Sequence, residues 1–164
     1  MPRRTALIVA VPEAENAVGA LRLRHDSSAA LGVPAHVTIL FPFVPREELD
    51  EEALAALVSA HESFDFELSS LETFPGDDAT YLAPVPAEPF TELTNAVWRR
   101  WPDFPPYEGV HDVVIPHVTV SDGGRLDVEL ELPIAAHAHE VTLIEEAENG
   151  RWAERRRFAL GPAP

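Results

Sequence analysis

The chain has 164 residues, of which 46% are apolar, and this is enough for one domain with its own core. It contains no cysteine, which excludes disulfides and thiolate metal sites. Acidic residues number 28 against 12 basic ones, and the net charge of −16 argues against binding of long nucleic acid, whose affinity comes largely from phosphate neutralisation.

The N-terminal segment has two arginines followed by an apolar run, as a secretion signal does. The run extends only from Ala6 to Val11 before Pro12, which is too short for such a signal. We therefore predict a strand over Thr5–Val11. No stretch is long enough to span a membrane, and the lack of cysteine suits a reducing compartment. We predict a cytoplasmic monomer without membrane contacts.

Hydrophobic spacing predicts alternating helices and strands in the first half of the chain. Apolar side chains recur at helical intervals over Glu13–Asp26, and residues 27–34 are predicted to be a linker. A strand that begins at His36 follows. An apolar stripe opposite acidic side chains predicts a helix from Pro45 to His61, and clean alternation predicts a strand over Phe64–Leu68.

The second half begins with a predicted turn over Pro75–Asp78 and a strand over Thr80–Val85. Apolar residues at helical spacing predict a helix over Phe90–Trp101, which Pro102 ends. A loop to residue 112 precedes a second strand of the same kind as that at His36. Residues 125–133 fit either a strand or a short helix, and residues 140–144 and 152–160 predict a closing hairpin.

One tetrapeptide occurs twice in nearly the same form, over His36–Ile39 (HVTI) and His117–Val120 (HVTV). Strand formers dominate both copies, and strand side chains alternate between two faces. The His and Thr of each copy therefore share one face, while the apolar residues share the other. If the two strands are neighbours, two imidazoles and two hydroxyls meet in one cleft. The alternative is two structural histidines beside hydroxyls that satisfy backbone groups.

Two imidazoles on opposite sides of a phosphodiester are sufficient for acid–base hydrolysis. One accepts a proton from water or from a ribose hydroxyl, and the other donates a proton to the departing oxygen. Threonine hydroxyls can donate to the non-bridging phosphate oxygens, where charge builds up in the transition state. The motifs are compatible with such chemistry, and the sequence leaves open which histidine is the base.

The paired His-x-Thr-x motifs resemble those of the two-histidine (2H) phosphoesterase superfamily, which includes bacterial 2′–5′ RNA ligase-like proteins and cyclic phosphodiesterases. The segments PAHVTILFPF, PPYEG and EVTLIEEAENGRW fit the same group, and the resemblance extends from about Thr5 to Gly161. It implies a bilobal α+β fold with two pseudo-symmetric antiparallel-sheet lobes and flanking helices around a central cleft. We expect one domain over residues 1–164, with intertwined lobes of roughly 1–79 and 80–164.

The resemblance also implies the catalytic residues, which are His36, Thr38, His117 and Thr119. The implied reaction is hydrolysis of a 2′,3′-cyclic phosphate to a 2′-phosphate without a metal or other cofactor. Cleavage of a 2′–5′ linkage, or the reverse ligation, is the alternative within the same class. A binding module that holds a nucleotide without turnover and a metal-dependent hydrolase are alternatives from other classes.

A small nucleotide or RNA end is the expected substrate, because the acidic surface disfavours a duplex. A base needs a stacking surface, and Phe41 and Tyr107 are the predicted substrate-binding residues. Phe43 and Tyr81 are further candidates for stacking, and a packing role is the alternative for all four. Candidate contacts to a second phosphate are Arg22, Arg24 and Arg46.

Three other histidines are weaker candidates for function. His137 and His139 have the spacing of a metal-binding pair on a strand, but no third ligand lies nearby in sequence. Ordinary exposed positions are the preferred interpretation, and no metal site is predicted. His111 lies in the loop before the second motif, and no role is assigned to it.

Overall fold

The computed structural model describes residues 3–76, 79–111 and 113–163. These residues form one eight-stranded antiparallel sheet and four α-helices. The strands are β1 (Thr5–Ala10), β2 (His36–Leu40), β3 (Phe64–Thr73), β4 (Thr80–Val85), β5 (Val118–Ser121), β6 (Ile134–Ala138), β7 (Glu140–Glu146) and β8 (Trp152–Ala159). The helices are α1 (Glu15–His25), α2 (Ser27–Ala30), α3 (Glu51–Ser59) and α4 (Glu88–Arg100).

The sheet has the order β6-β3-β4-β5-β2-β1-β7-β8, so that the two motif strands, β2 and β5, lie side by side at its centre. One half contains β1, β2, β7 and β8, and the other contains β3 to β6. Each half has a motif strand at its inner edge. The predicted bilobal α+β fold is confirmed, whereas the predicted lobe boundary near residue 79 stays a prediction.

The joint between the two halves is short. Within the described part of the chain, β2 and β5 share a single registered pair, Val37 opposite Val118. By contrast, β7 pairs with β8 along its whole length, from Glu140 to Glu146. The β2–β5 ladder that joins the two halves of the sheet therefore consists of one pair, which lies directly between the two motifs.

The core follows from the alternation of the motif strands. Val37, Ile39, Val118 and Val120 are all fully buried and belong to one apolar cluster. Apolar side chains of the three longer helices complete this cluster: Val18 of α1, Leu54 and Val58 of α3, and Phe90, Leu93 and Val97 of α4. The motif histidines and threonines lie on the other face of their strands and are only half-buried.

Several predicted elements differ from the structure. The predicted linker contains α2, because the Asp26 carboxylate accepts a hydrogen bond from the Ser28 N–H and caps that short helix. The helix predicted from Pro45 begins only at Glu51, after the Asp50 side chain, which accepts from the Ala53 N–H. Residues 125–133 form neither a strand nor a helix.

His117 lies immediately before β5 rather than inside it. In the predicted turn after β3, Asp77 and Asp78 lie outside the described residues. No described helix has the length and apolar character that crossing a membrane requires.

Candidate active site

The register of β2 and β5 brings the two motifs together. Because Val37 pairs with Val118 in an antiparallel ladder, His36 lies opposite Thr119 and Thr38 lies opposite His117. The two histidines occupy diagonal positions, which in such a ladder are roughly 7–8 Å apart. The four side chains, named here the His/Thr quartet, form a square with the imidazoles at opposite corners. The two motif strands are neighbours, as the repeat suggested, and a common cleft for the four side chains stays a prediction.

Both imidazoles are held in the same way. His36 Nδ1 lies 2.7 Å from the carbonyl oxygen of Pro34, and His117 Nδ1 lies 2.6 Å from that of Ile115. A carbonyl can only accept, so each Nδ1 carries the proton and donates it. The Nε2 atom of each ring points away from that carbonyl, as the atom that can exchange a proton with a substrate. The backbone two residues before each histidine thus sets its tautomer and orientation.

His36 has an unusual electrostatic environment. Partial burial removes water from its ring, and this desolvation lowers the pKa of His36 from 6.5 to about 4. The positive charges of Arg22 and of protonated His117 lower the pKa further, while the Pro34 carbonyl and the Asp26 carboxylate oppose the shift. His36 is therefore a neutral imidazole at physiological pH.

A buried ion pair lies behind His36. Arg22 and Asp26 are only 2% and 4% exposed, and their side chains are 2.8 Å apart. The guanidinium also donates to the Val33 carbonyl at 3.0 Å and to the Ser28 hydroxyl at 3.2 Å. The network fixes the backbone just before Pro34, whose carbonyl holds His36. The ion pair therefore fixes the position of the His36 ring through the backbone of Val33 and Pro34.

Tyr107 reaches the quartet from the loop before the second motif. Its hydroxyl shares a hydrogen bond with that of Thr38, and burial raises the pKa of the phenol. Tyr107 and Glu108 have φ values of 50° and 58°, a left-handed conformation that is costly for bulky residues. The Tyr107 N–H donates to the Phe41 carbonyl at 2.6 Å. This contact holds the strained turn in place, so that the phenol lies next to Thr38 of the quartet.

An aromatic cavity of about 310 Å³ opens beside His36 and Thr38. Phe41 and Trp152 form its aromatic walls, with ring centroids 5.9 Å apart in an edge-on arrangement. The Arg4 guanidinium lies 5.4 Å from the Phe41 ring and forms an ion pair of 2.6 Å with Glu146. Flat walls with a polar rim suit a planar heteroaromatic ring.

The second motif also has aromatic neighbours. Phe74 stacks on Tyr81 at a centroid distance of 4.1 Å. Both rings contact the His117 ring in an edge-on arrangement, with centroid distances of 5.0 Å for Phe74 and 5.7 Å for Tyr81. A cavity of about 270 Å³ beside them includes His117 and Thr119 in its wall. Each histidine of the quartet thus borders its own cavity.

The family model described as the 2′-5′ RNA ligase superfamily matches residues 10–149. The chain belongs to the 2′-5′ RNA ligase superfamily. A Shouchella clausii protein, named as a candidate phosphoesterase, is 26% identical over 152 residues, 85% of this chain and 86% of that protein. The predicted membership of the 2H phosphoesterase superfamily is confirmed.

Solved structures of this superfamily share the fold. The structure of E. coli LigT with 3′-AMP has a TM-score of 0.71 at 18% identity and covers 98% of this chain and 99% of that one. The LigT complex with NADP⁺ has a TM-score of 0.70 at 19% identity, with 98% of each chain covered. A Thermus thermophilus protein, TT0787, has a TM-score of 0.64 at 19% identity, and the match covers 97% of this chain and 98% of that one.

Some residues predicted to contact a substrate lie elsewhere in this superfamily member. Phe43 is only 3% exposed and packs edge-on against Trp101 at 5.5 Å, so its predicted stacking role is wrong. Arg22 is buried in the ion pair with Asp26, and a contact with a second phosphate is therefore wrong as well. Arg46 lies 3.3 Å from Glu51 at the start of α3.

The remaining histidines do not form a metal centre in the described ranges. His137 and His139 stack with centroids 6.2 Å apart, and His137 Nδ1 lies 2.7 Å from the Asp65 carboxylate. No described group of three His, Asp or Glu side chains could hold a metal ion. His111 lies edge-on to Tyr107 at 5.6 Å, beside the quartet.

Several residues that form the site could not be predicted from the sequence. Arg4, Glu146 and Trp152 come from the segment before β1, from β7 and from β8, and only strand pairing brings them beside Phe41. Phe74 reaches His117 through the β3–β4 and β4–β5 ladders. The sequence did contain one signal for the ion pair behind His36: Arg22 and Asp26 have the (i, i+4) spacing of an ion pair at a helix end.

Proposed function

We propose that this protein hydrolyses the 2′,3′-cyclic phosphate of a nucleotide or RNA end to a 2′-phosphate by metal-independent acid–base catalysis. The His/Thr quartet is the observation that carries this proposal. Its two imidazoles lie at diagonal corners, both oriented by Nδ1–carbonyl hydrogen bonds. A phosphate between them has a proton acceptor on one side and a proton donor on the other.

The proton transfers assign different roles to the two histidines. His36 is neutral at physiological pH, because its pKa is about 4, and it is therefore the general base. Its Nε2 accepts a proton from water as the water oxygen attacks phosphorus. The bond from phosphorus to the ribose 3′ oxygen breaks, and protonated His117 donates its Nε2 proton to that oxygen. The products are a 2′-phosphate and a 3′-hydroxyl.

The hydroxyls of the quartet stabilise the charge that develops on the phosphoryl group. Thr38 and Thr119 donate to the non-bridging oxygens, which become more negative as water attacks. The Tyr107 hydroxyl is hydrogen-bonded to the Thr38 hydroxyl and holds that side chain at the proposed phosphate position. We therefore propose that Tyr107 is a substrate-binding residue: it lies beside the phosphate and positions the Thr38 hydroxyl.

The aromatic cavity beside the first motif is proposed to hold the nucleobase. Phe41 and Trp152 offer stacking surfaces, and base–aromatic stacking contributes roughly 1–3 kcal/mol per base. Crystal structures of E. coli LigT with 3′-AMP and NADP⁺ show that a protein of this fold binds small nucleotides. The same quartet serves a 2′–5′ linkage equally well, and a substrate screen separates the two reactions.

Turnover of a 2′,3′-cyclic mononucleotide by the wild type and by His36→Ala and His117→Ala tests the proposal. Each variant should lose at least about a hundredfold in kcat, as expected for a lost general acid or base. The double variant should be little worse than either single variant, because the pair acts as a unit. His139→Ala, at an exposed position far along the sheet, is the matched control.

Four results would overturn the proposal. Normal turnover by either variant would show that the histidines are structural, and a lowered melting temperature without loss of turnover would have the same meaning. Loss of activity in excess chelator, restored by one divalent ion, would favour a metallohydrolase. Nucleotide binding without any turnover would identify a binding module.

A further inference from the structure

One face of α4 carries a stripe of side chains that the mechanism does not use. Thr91, Asn95 and Trp98 follow each other at i, i+4 and i+7 and therefore lie on one side of the helix. All three are exposed, and Trp98 keeps 41% of its surface accessible. An exposed tryptophan beside an amide and a hydroxyl is typical of a binding surface rather than of a core.

The stripe lines a cavity of about 250 Å³, named here the α4 cavity. Pro105, Pro106 and Gly109 contribute to its lining from the loop after α4, and Thr38 of the quartet also borders it. The cavity is thus continuous with the proposed phosphate position. It is distinct from the aromatic cavity at Phe41, which also borders Thr38.

The position of the stripe relative to the quartet is fixed. The Thr94 hydroxyl donates to the Ile39 carbonyl at 2.7 Å, which ties α4 to the end of β2. Phe90, Leu93 and Val97 bury the opposite side of the helix in the core. The α4 cavity is therefore preformed, and an occupant meets it without reorganisation of the helix.

The chemistry of the lining selects one kind of occupant. His111 is the titratable side chain in the described lining of the cavity, and no arginine, aspartate or glutamate is there, so no permanent positive charge compensates the charge of a phosphate. The Trp98 indole offers a π surface for stacking, and the Asn95 amide offers a donor and an acceptor side by side, the pattern that pairs with a base edge. The volume fits one planar base.

We propose that the α4 cavity binds the base of the nucleotide that adjoins the cyclic-phosphate nucleotide, so that short RNA ends are better substrates than cyclic mononucleotides. This inference rests on the proposed function. The terminal base occupies the aromatic cavity at Phe41, the phosphate lies at the quartet, and the neighbouring base lies against Trp98. Thr38 stands at the junction of the two cavities.

The test compares a cyclic mononucleotide with a dinucleotide that ends in a 2′,3′-cyclic phosphate. The wild type should show a kcat/KM at least about tenfold higher for the dinucleotide, since stacking of one additional base contributes a factor of this order. Trp98→Ala should reduce that preference about tenfold, mainly by raising KM for the dinucleotide. Asn95→Ala should reduce it several-fold, through loss of hydrogen bonds to the base.

Leu23→Ala is the matched control, because Leu23 is an apolar side chain on a helix surface and is 66% exposed. It should leave the dinucleotide preference at the wild-type value. Equal kcat/KM values for the two substrates in the wild type would overturn the inference. A proportional loss on both substrates in Trp98→Ala would do the same.

If the proposed function is wrong and the protein is not a hydrolase, the α4 cavity can still be tested by binding. If neither substrate is hydrolysed, binding of the 2′-phosphorylated dinucleotide is measured by titration calorimetry with the wild type and Trp98→Ala. About tenfold weaker binding to Trp98→Ala would support the base site in a binding module. Equal binding to both proteins would overturn the α4 cavity as a nucleotide site.

Discussion

The environment of His36 predicts how the stability of the protein depends on pH. Its pKa is about 4 in the folded protein and 6.5 in a solvated chain. Between these values the unfolded state binds more protons than the folded state, so the free energy of unfolding falls as the pH falls. The contribution of neutral His36 is fully present above pH 6.5 and is lost by pH 4.

The magnitude follows from the same two values. Linkage gives a loss of about 2 kcal/mol between neutral pH and pH 5, which rises to about 3 kcal/mol at pH 4. His36→Asn removes the titrating ring, while the shorter amide can still donate to the Pro34 carbonyl. The variant should therefore lose about 2 kcal/mol less than the wild type over this range.

Urea denaturation followed by tryptophan fluorescence at about pH 7.5 and about pH 5 measures this difference. Carboxylates that titrate in the same range do so in both proteins, and their contributions cancel in the comparison. His139→Asn controls for the loss of a histidine at an exposed position. Equal losses of stability in the wild type and His36→Asn would refute the reasoning that burial keeps this ring neutral.

Three further predictions concern the buried ion pair, the chain terminus and the acidic surface. Arg22→Met should cost roughly 3–5 kcal/mol in urea denaturation by leaving the Asp26 carboxylate buried and unpaired, and the double variant with Asp26→Leu should recover most of that loss. Gly161→Ala should lower stability by roughly 1–3 kcal/mol, because its Cβ would lie 2.7 Å from the Ser59 carbonyl. Gly123→Ala, whose Cβ would meet only one atom at 3.9 Å, is the control, and equal melting temperatures would contradict the clash. Long duplex RNA should bind weakly and with a shallow salt dependence, since the net charge is −16; tight binding with a steep slope in a filter assay would oppose this.

The alternation of the two motifs made the centre of the site predictable from sequence. Period-two patterning determined that His36 and Thr38 share a face opposite Val37, and the duplication suggested that a second such strand lies beside the first. The structure adds the register, in which Thr119 faces His36. Register depends on long-range pairing, which no local pattern encodes.

Contacts that depend on strand order could not be predicted in the same way. Trp152 lies more than a hundred residues after Phe41, and it meets that ring only because β7 adds to β1. The strained turn at Tyr107 was hidden for another reason, since nothing in a PPYEG segment predicts a left-handed tyrosine. The burial of Arg22 was equally hidden, because its network of partners depends on the fold of residues 26–34.

The single pair that joins β2 to β5 has a mechanical consequence. Each half of the sheet is held together by its own long ladders, while the described strands of the two halves meet only at Val37 and Val118. The diagonal between His36 and His117 crosses this joint, and the apolar cluster beneath it contains Val37 and Ile39 of one half together with Phe66 and Leu68 of the other. A substitution in this shared core that shifts the strands will therefore change the spacing of the imidazoles without altering any residue of the quartet.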